Sequence, residues 1–532
     1  MPALPVTHKD QAWQYWQAGL ISAANVGIGV NGGSGFPILA NLAVRKGYNA
    51  IRIQLNHDDS WGLSSEDLFT IATQGWDTTA LSTASRPAGG APRTIQDIAQ
   101  QLDRILALAA QLRIGVILTV SDFHQEAGGS LWQQAAQQDA LVGFWQATAR
   151  RWSDASHPEI IGYDLLSRPC PDPSLSFAEL NALPPQQPTL HNWRALAQRC
   201  LIAIRQRDLH TPILVQGVYG GAARGLDVFR NLDNPADRSL LISDPAGRVV
   251  YGFNLYAPKP FTEQGATPSC YEAIGTLYGD AAYTHWRNWD HYNASAANNR
   301  APVNLSQDFN SYLSLISHYR NDAFYQNQGR SNPQPDFHKQ FGVPGFVAEF
   351  GAINPRLTRS SDVSADSPHR TITGLTIESR QVTVTLGLLD GQGFRIDCGA
   401  AARNWPFSHT VLAQISETGT PLDGQTYTVQ LTAGQRSFTF TSSAALPNLA
   451  LGGSQQSRVG TLTLALLPNK QGPHDLARQR YARDVLRMCR QLGLSWAWQF
   501  EDSDTAAEFN GWRASSSVNA ALTSAANGLT LN

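Results

Sequence analysis

Short apolar runs recur along the chain, most of them followed by a stretch with helical spacing. Residues 26–33 (V-G-I-G-V-N-G-G) read as a first strand entering a glycine turn, and residues 39–46 as a short helix. Residues 48–55 (Y-N-A-I-R-I-Q-L) alternate and give a second strand. Residues 61–92 are polar, rich in Ser, Thr and Gly, and read as a long loop of the kind that shapes a cleft. Thr94 then caps a helix, with Asp97 three residues on. Ile95, Ile98, Leu102, Ile105, Leu106 and Ala109 form its buried stripe. Further strands are expected at 114–120, 160–166, 212–217, 249–258, 345–351 and 494–500, and further helices at 139–152, 190–207, 308–326 and 474–492. Strands alternating with helices imply an α/β fold with a parallel sheet, here a (β/α)8 TIM barrel.

The pattern changes after Gly351. Between 371 and 467 the chain is rich in Thr, Val, Leu, Gly and Ser, in alternating runs such as T-I-T-G-L-T-I, V-T-V-T-L-G-L-L and T-L-T-L-A-L-L. Turn signals such as D-G-Q-G separate them. This predicts a β-sandwich-like domain inserted after the seventh barrel strand. The expected organisation is a first barrel part at 1–355, the inserted domain at 356–472, the last barrel helix and strand at 473–513, and a polar tail at 514–532. No repeat of a few tens of residues is evident.

Composition narrows the partners. The chain has 532 residues, 42% hydrophobic and 15% charged, enough for a sizeable core. A net charge of −2 without a basic block argues against nucleic acid or an anionic membrane as partner. Fourteen Trp residues suit stacking on sugars as well as core filling. The five Cys are scattered without a C-x-x-C, so neither a disulfide framework nor a zinc site is expected, and no cofactor is called for. No apolar leader and no run of about eighteen apolar residues is legible, so a cytoplasmic or virion-associated protein is expected.

The candidate chemistry lies at strand ends. Residues 160–173 read I-I-G-Y-D-L-L-S-R-P-C-P-D-P, an apolar strand running into a proline-rich loop. Residues 345–351 read G-F-V-A-E-F-G, with Glu349 at the end of an apolar run. An unpaired carboxylate there would be costly inside a core, which favours a polar site. With K-G-Y-N-A-I-R-I ending near Arg52, N-L-Y at Asn254–Tyr256, and W-A-W near the last strand, these motifs resemble glycoside hydrolase family 5 in its own order. The resemblance covers about residues 22–353 and 474–512.

That resemblance implies a retaining O-glycosyl hydrolase barrel acting on an oligo- or polysaccharide, with no metal. It makes Glu349 the nucleophile position, Arg52 its brace and Tyr256 its hydrogen-bond donor. Sugar contacts would come from His124, Asn254 in place of a His, and Trp498 or Trp496 as a stacking platform. Tyr271, Tyr278, Tyr283, Trp286, Trp289 and Tyr292 lie on an aromatic-rich stretch that suits sugar faces. The departure is at strand 4, where the family's Asn-Glu-Pro is Ser167-Arg168-Pro169. Retaining hydrolysis needs two carboxyls about 5–5.5 Å apart, and a guanidinium neither gives up nor takes up a proton near neutrality. Asp164 is expected on the same strand face as Arg168 but two levels deeper. An ion pair between Arg168 and Glu349 is therefore expected in place of the catalytic dyad, giving a degenerate, glycan-binding barrel. Two alternatives stand beside it. One is an active retaining β-glycosidase with a relocated acid, drawn from Asp122, Glu126, Asp172 or Glu263. The other is a structural or assembly protein, such as a phage tail or baseplate component, that meets a protein partner through the inserted β-domain.

Overall fold

A computed structural model describes residues 9–27, 48–56, 62–83, 92–121, most of 130–256, 336–351 and 473–498, with the backbone of a set of strands between 364 and 466. Helix α1 (Lys9–Gln17) leads into strand β1 (Ser22–Gly27). Strand β2 (Ala50–Gln54) follows, then helix α2 (Ser65–Gln74), helix α3 (Ile95–Leu112) and strand β3 (Gly115–Ser121). Helix α4 (Ala135–Arg151) precedes β4 (Ile160–Ser167), and helix α5 (Trp193–Arg205) precedes β5 (Ile213–Gln216). Strands β6 (Val249–Leu255) and β7 (Gly345–Phe350) come next.

Among the described residues, nine strands between the barrel halves pair antiparallel. In chain order they are β8 (Ser364–Asp366), β9 (Ile372–Glu378), β10 (Gln381–Leu386), β11 (Phe394–Asp397), β12 (His409–Glu417), β13 (Thr420–Pro421), β14 (Tyr427–Leu431), β15 (Ser437–Phe440) and β16 (Gly460–Leu466). One sheet runs β13-β12-β16-β10-β9 with β14 added on β12, and a second runs β15-β11-β8. Helix α6 (Pro473–Leu492) and strand β17 (Leu494–Trp498) then return to the barrel. The eight parallel strands close in the order β1-β17-β7-β6-β5-β4-β3-β2, a (β/α)8 TIM barrel.

Residue parity builds the barrel interior. On β1, β2, β5 and β17, Ala23, Ala50, Leu214 and Ala497 join Ile117, Ile161, Val250 and Phe346 in one apolar cluster. Trp16 of α1 belongs to the same cluster and donates its indole N–H to the Ile161 carbonyl at 2.8 Å. The bulky ring closes the N-terminal end of the barrel because the small alanines of β1, β2 and β17 leave it room. One step further toward the C-terminal ends, the inward side chains become polar: Asn25, Arg52, Thr119, Asp164, Gln216 and Glu349 are all buried. The outward residues pack against the helices in a separate, larger core.

Two expectations are corrected. The first strand begins at Ser22, not 26, because its small residues Ser22, Ala23 and Ala24 carry no β-branched signal, although Ala23 packs inside beside Trp16 and Ala24 against the outer core. The stretch expected as one long loop contains α2. Ser64 caps it by accepting from the Asp67 amide, and Asp67 accepts from the Ser64 amide in return, a capping box hidden in S-S-E-D. The box expected at Thr94 and Asp97 is present in the same form. The helix expected at 39–46 and the tail from 514 fall outside the described residues, as does most of the helix expected at 308–326. Among the described residues, no helix is long and apolar enough to cross a membrane.

Candidate active site

Six strands build the polar layer at the barrel mouth: β1, β2, β3, β4, β5 and β7. Arg52 on β2 sits between two carboxylates. Its Nη2 lies 2.7 Å from Asp164 Oδ2, and its Nε donates to the same oxygen at 2.9 Å. Its Nη1 donates to Asn25 Oδ1 at 2.7 Å and reaches Glu349 Oε1 only at 3.4 Å. The tight partner of Arg52 is thus Asp164, with Glu349 at the edge of its reach. Burial pushes the Asp164 carboxyl up from its ordinary value, against the pull of Arg52.

Both strands that carry the facing residues are irregular beside them. Along β4, Asp164 pairs with Thr119 and Ser167 with Ser121, so three residues on β4 span two on β3. This bulge corrects the simple alternation expected from sequence: Asp164 and Ser167, three apart, both face inward. Strand β7 has a similar irregularity, since Phe253 and Asn254 pair with Val347 and Glu349. Past the end of β4, Arg168 takes φ 58°, in the left-handed region, directly before Pro169. Such a backbone costs about 1–3 kcal/mol for a residue with a side chain, and a following proline restricts the residue further.

What the turn achieves is visible at Glu349. Arg168 Nε and Nη2 donate to Glu349 Oε2 at 2.8 and 2.6 Å. Tyr256 donates its hydroxyl to the same oxygen at 2.9 Å and accepts from Arg168 Nη2 at 3.0 Å. The guanidinium also lies over the Tyr256 ring, 5.6 Å from its centre. Oε1 accepts from the Ser167 hydroxyl at 3.1 Å. Burial alone would raise the Glu349 carboxyl, but Arg168 and then Arg52, with hydrogen bonds from Arg168 and Tyr256, outweigh it and hold the group below the ordinary glutamate range. Burial works against the Arg168 charge, and Glu349 overcomes it, so the guanidinium is held more firmly protonated than usual. Tyr256 is pushed well up, by burial and then by the Glu349 charge, and remains a hydrogen-bond donor. The arrangement is an ionised carboxylate with both oxygens engaged, facing a fixed cation. Such a pair can position a polar ligand at the barrel mouth, but neither member gives up or takes up a proton near neutrality.

The remaining expected residues divide. Asn254 is paired in register with Glu349, but its Nδ2 donates to the Gly220 carbonyl at 3.1 Å. Trp498 does not stand open in the cleft. Its ring is fully buried and meets Phe350 edge-on at 5.1 Å, and Trp496 packs on Phe350 and Tyr48 in the same outer core. On β17 it is Ala497 that joins the interior cluster, so the parity of that strand turns both tryptophans outward. His124, the aromatic stretch from Tyr271 to Tyr292, and the acids Asp122, Glu126 and Glu263 lie outside the described residues. Asp172 lies on the loop after β4, its amide donating to His191 Nδ1 at 3.2 Å. Among the described residues, no cluster of His, Cys, Asp or Glu could hold a metal ion.

Sequence reading missed Gln216 and Asn25. Gln216 Nε2 donates to Asp164 Oδ2 at 2.8 Å, and its Oε1 accepts from the Arg168 amide at 3.1 Å. Asn25 Nδ2 donates to the carbonyls of Ala348 and Trp498, both at 3.0 Å, and ties β1 to β7, which carries Glu349, and to its neighbour β17. The available signal was the one that singled out Glu349, a polar residue closing an apolar strand: P-I-L-V-Q-G does the same.

A family model described as cellulase (glycosyl hydrolase family 5) matches residues 39–362. No curated protein matches the chain. Among solved structures, Thermotoga maritima Cel5A in complex with cellobiose is 12% identical, with 96% of this chain and 99% of that one covered and a TM-score of 0.43. The same protein in complex with a mannotriose substrate gives 11%, 96%, 99% and 0.44. Pseudomonas stutzeri endoglucanase Cel5A gives 17%, 63%, 77% and 0.34.

Proposed function

This chain belongs to glycosyl hydrolase family 5, and we propose that it is a catalytically degenerate member that binds an oligo- or polysaccharide without cleaving it. In this reading Glu349 is the nucleophile position, Arg168 replaces the acid/base, and Arg52, Ser167 and Tyr256 hold the carboxylate. Asn254 and His124 belong to the ancestral sugar site. The observation that carries the reading is the contact of 2.6 Å between Arg168 Nη2 and Glu349 Oε2. A nucleophilic carboxylate needs a free lone pair aimed at the anomeric carbon, and here the guanidinium stands on it. Loss of a general acid/base alone costs about 10²–10⁴ in rate. A saturated nucleophile adds to that loss.

The strands at 364–466 fit a separate inserted domain at 356–472 that offers a surface for a protein partner. Relatives whose structures hold cellobiose and mannotriose suggest β-linked gluco- and manno-oligosaccharides as the first ligands to try. The test pairs calorimetric titration of such oligosaccharides with product analysis, and adds aryl β-glycosides, whose leaving groups need no acid. Binding without oligosaccharide cleavage, and at most slow release of the aryl group, is expected. Cleavage at ordinary enzyme rates, about 1–10³ per second, rejects the reading, and so does absence of both binding and cleavage.

A further inference from the structure

Beneath the Arg168–Glu349 pair the side chains close a ring through four strands. Glu349 Oε1 accepts from Arg52 Nη1, and Arg52 donates through Nε and Nη2 to Asp164 Oδ2. The same Asp164 oxygen accepts from Gln216 Nε2, Gln216 Oε1 accepts from the Arg168 amide, and the Arg168 side chain returns to Glu349 Oε2. Gln216 is fully buried at the end of β5, and it meets β4 on both sides of the bulge.

We infer that Gln216 is a positioning residue that locks Arg168 over Glu349, by holding the Arg168 backbone amide in its left-handed turn. Two constraints make it a lock. A partly buried amide N–H is best met by a fixed acceptor, and at Arg168 that acceptor is Gln216 Oε1 at 3.1 Å. The Gln216 carboxamide has one workable orientation. Flipped, it would set its oxygen against the Asp164 carboxylate and its NH2 against the Arg168 N–H. The Asp164 charge therefore fixes Gln216, Gln216 fixes the Arg168 amide, and the turn aims the guanidinium across the barrel. The next residue is held from the same side, since the Gly220 amide donates to the Pro169 carbonyl at 3.1 Å. The strain of φ 58° before a proline is thus supported from β5 as well as by the ion pair. This inference rests on the proposed function only for what the lock accomplishes. The lock itself concerns geometry and is read without any glycan.

The experiment is Gln216→Met, which keeps the length and removes both polar ends. The readout is the acid titration of the Glu349 side-chain carboxyl by carbon NMR in glutamate-labelled full-length protein, with the resonance assigned by its loss in Glu349→Gln. With the Arg168 turn released, the guanidinium leaves Glu349, burial is no longer opposed to the same degree, and the carboxyl should bind its proton about tenfold more tightly or beyond. A merely structural role would lower the melting temperature and leave that titration in place. An unchanged Glu349 titration in folded Gln216→Met overturns the inference. Should the variant not fold, amide exchange in the unmodified protein decides. The Arg168 N–H is expected to be protected to the same degree as the β4 amides, and exchange as fast as in an open loop overturns the lock. Oligosaccharide cleavage by the unmodified protein would remove the proposed function while leaving both of these readouts intact.

Discussion

At Arg168 the backbone and the side chain make opposite demands. The left-handed turn before Pro169 is unfavourable, and the charge-assisted contacts to Glu349 and Tyr256 offset it. Arg168→Gly separates the two, because glycine adopts the turn freely while the cation is lost. The consequence is read in pH. Glu349 has a folded pKa below its ordinary value, so its contribution to stability is present above the unfolded pKa and is lost as pH falls through the folded one. Asp164 runs the other way: its raised pKa favours the fold in acid and costs stability above that pKa. Removing Arg168 should raise Glu349 and move the acid-unfolding midpoint to higher pH, measured as melting temperature across the acid range. An unmoved midpoint would mean that the ion pair contributes nothing to the fold.

At this scale the sequence revealed Arg168 and Glu349 because each closes an apolar strand with a charge. It hid Gln216 and Asn25, since a neutral amide at a strand end draws no attention by itself. It misdirected at Trp498, because whether a residue near a strand end faces in or out depends on register, which closure of the barrel sets.

Among the elements, the helix starts carry a measurable prediction. Thr94 and Asp97 form an isolated capping box on α3, so Thr94→Ala should cost about 1 kcal/mol. Asp67 does more on α2. It accepts from the Ser64 amide, the Ser82 hydroxyl at 2.6 Å and the Thr83 amide at 2.9 Å, pinning the segment after α2 back onto its first turn. Asp67 is buried, so Asp67→Ala strands three donors and should cost about 2–4 kcal/mol, clearly beyond Thr94→Ala in the same urea titrations. Equal costs would show that the Ser82 and Thr83 contacts add nothing. The α3 box was legible because a six-member apolar stripe follows it. The α2 box was not, because Leu68 and Ile71, the two large apolar side chains buried on that helix, sit inside a stretch otherwise written in Ser, Thr and Gly.

In the whole molecule, a closed apolar floor supports a polar mouth. Trp16 seals the floor, so Trp16→Ala should destabilise the barrel by about 3–5 kcal/mol in denaturant titrations while leaving the pH behaviour of Glu349 unchanged. A shift of that titration would mean that floor and mouth are not separable. The repeating strand–helix order was readable along the chain because barrel strands are apolar on both faces. The charge balance at the mouth was less so. Two arginines and two acids from β2, β4, β7 and the turn after β4 converge only when the sheet closes. In the proposed function, the Arg168 cation silences the nucleophile position at Glu349. The direct measurement is oligosaccharide cleavage by the unmodified chain beside Arg168→Glu combined with Ser167→Asn. No cleavage above background is expected in the first, and a gain of about 10²-fold or greater in the second. Cleavage by the unmodified chain that falls when both substitutions are made would mean that Arg168 does not silence the site.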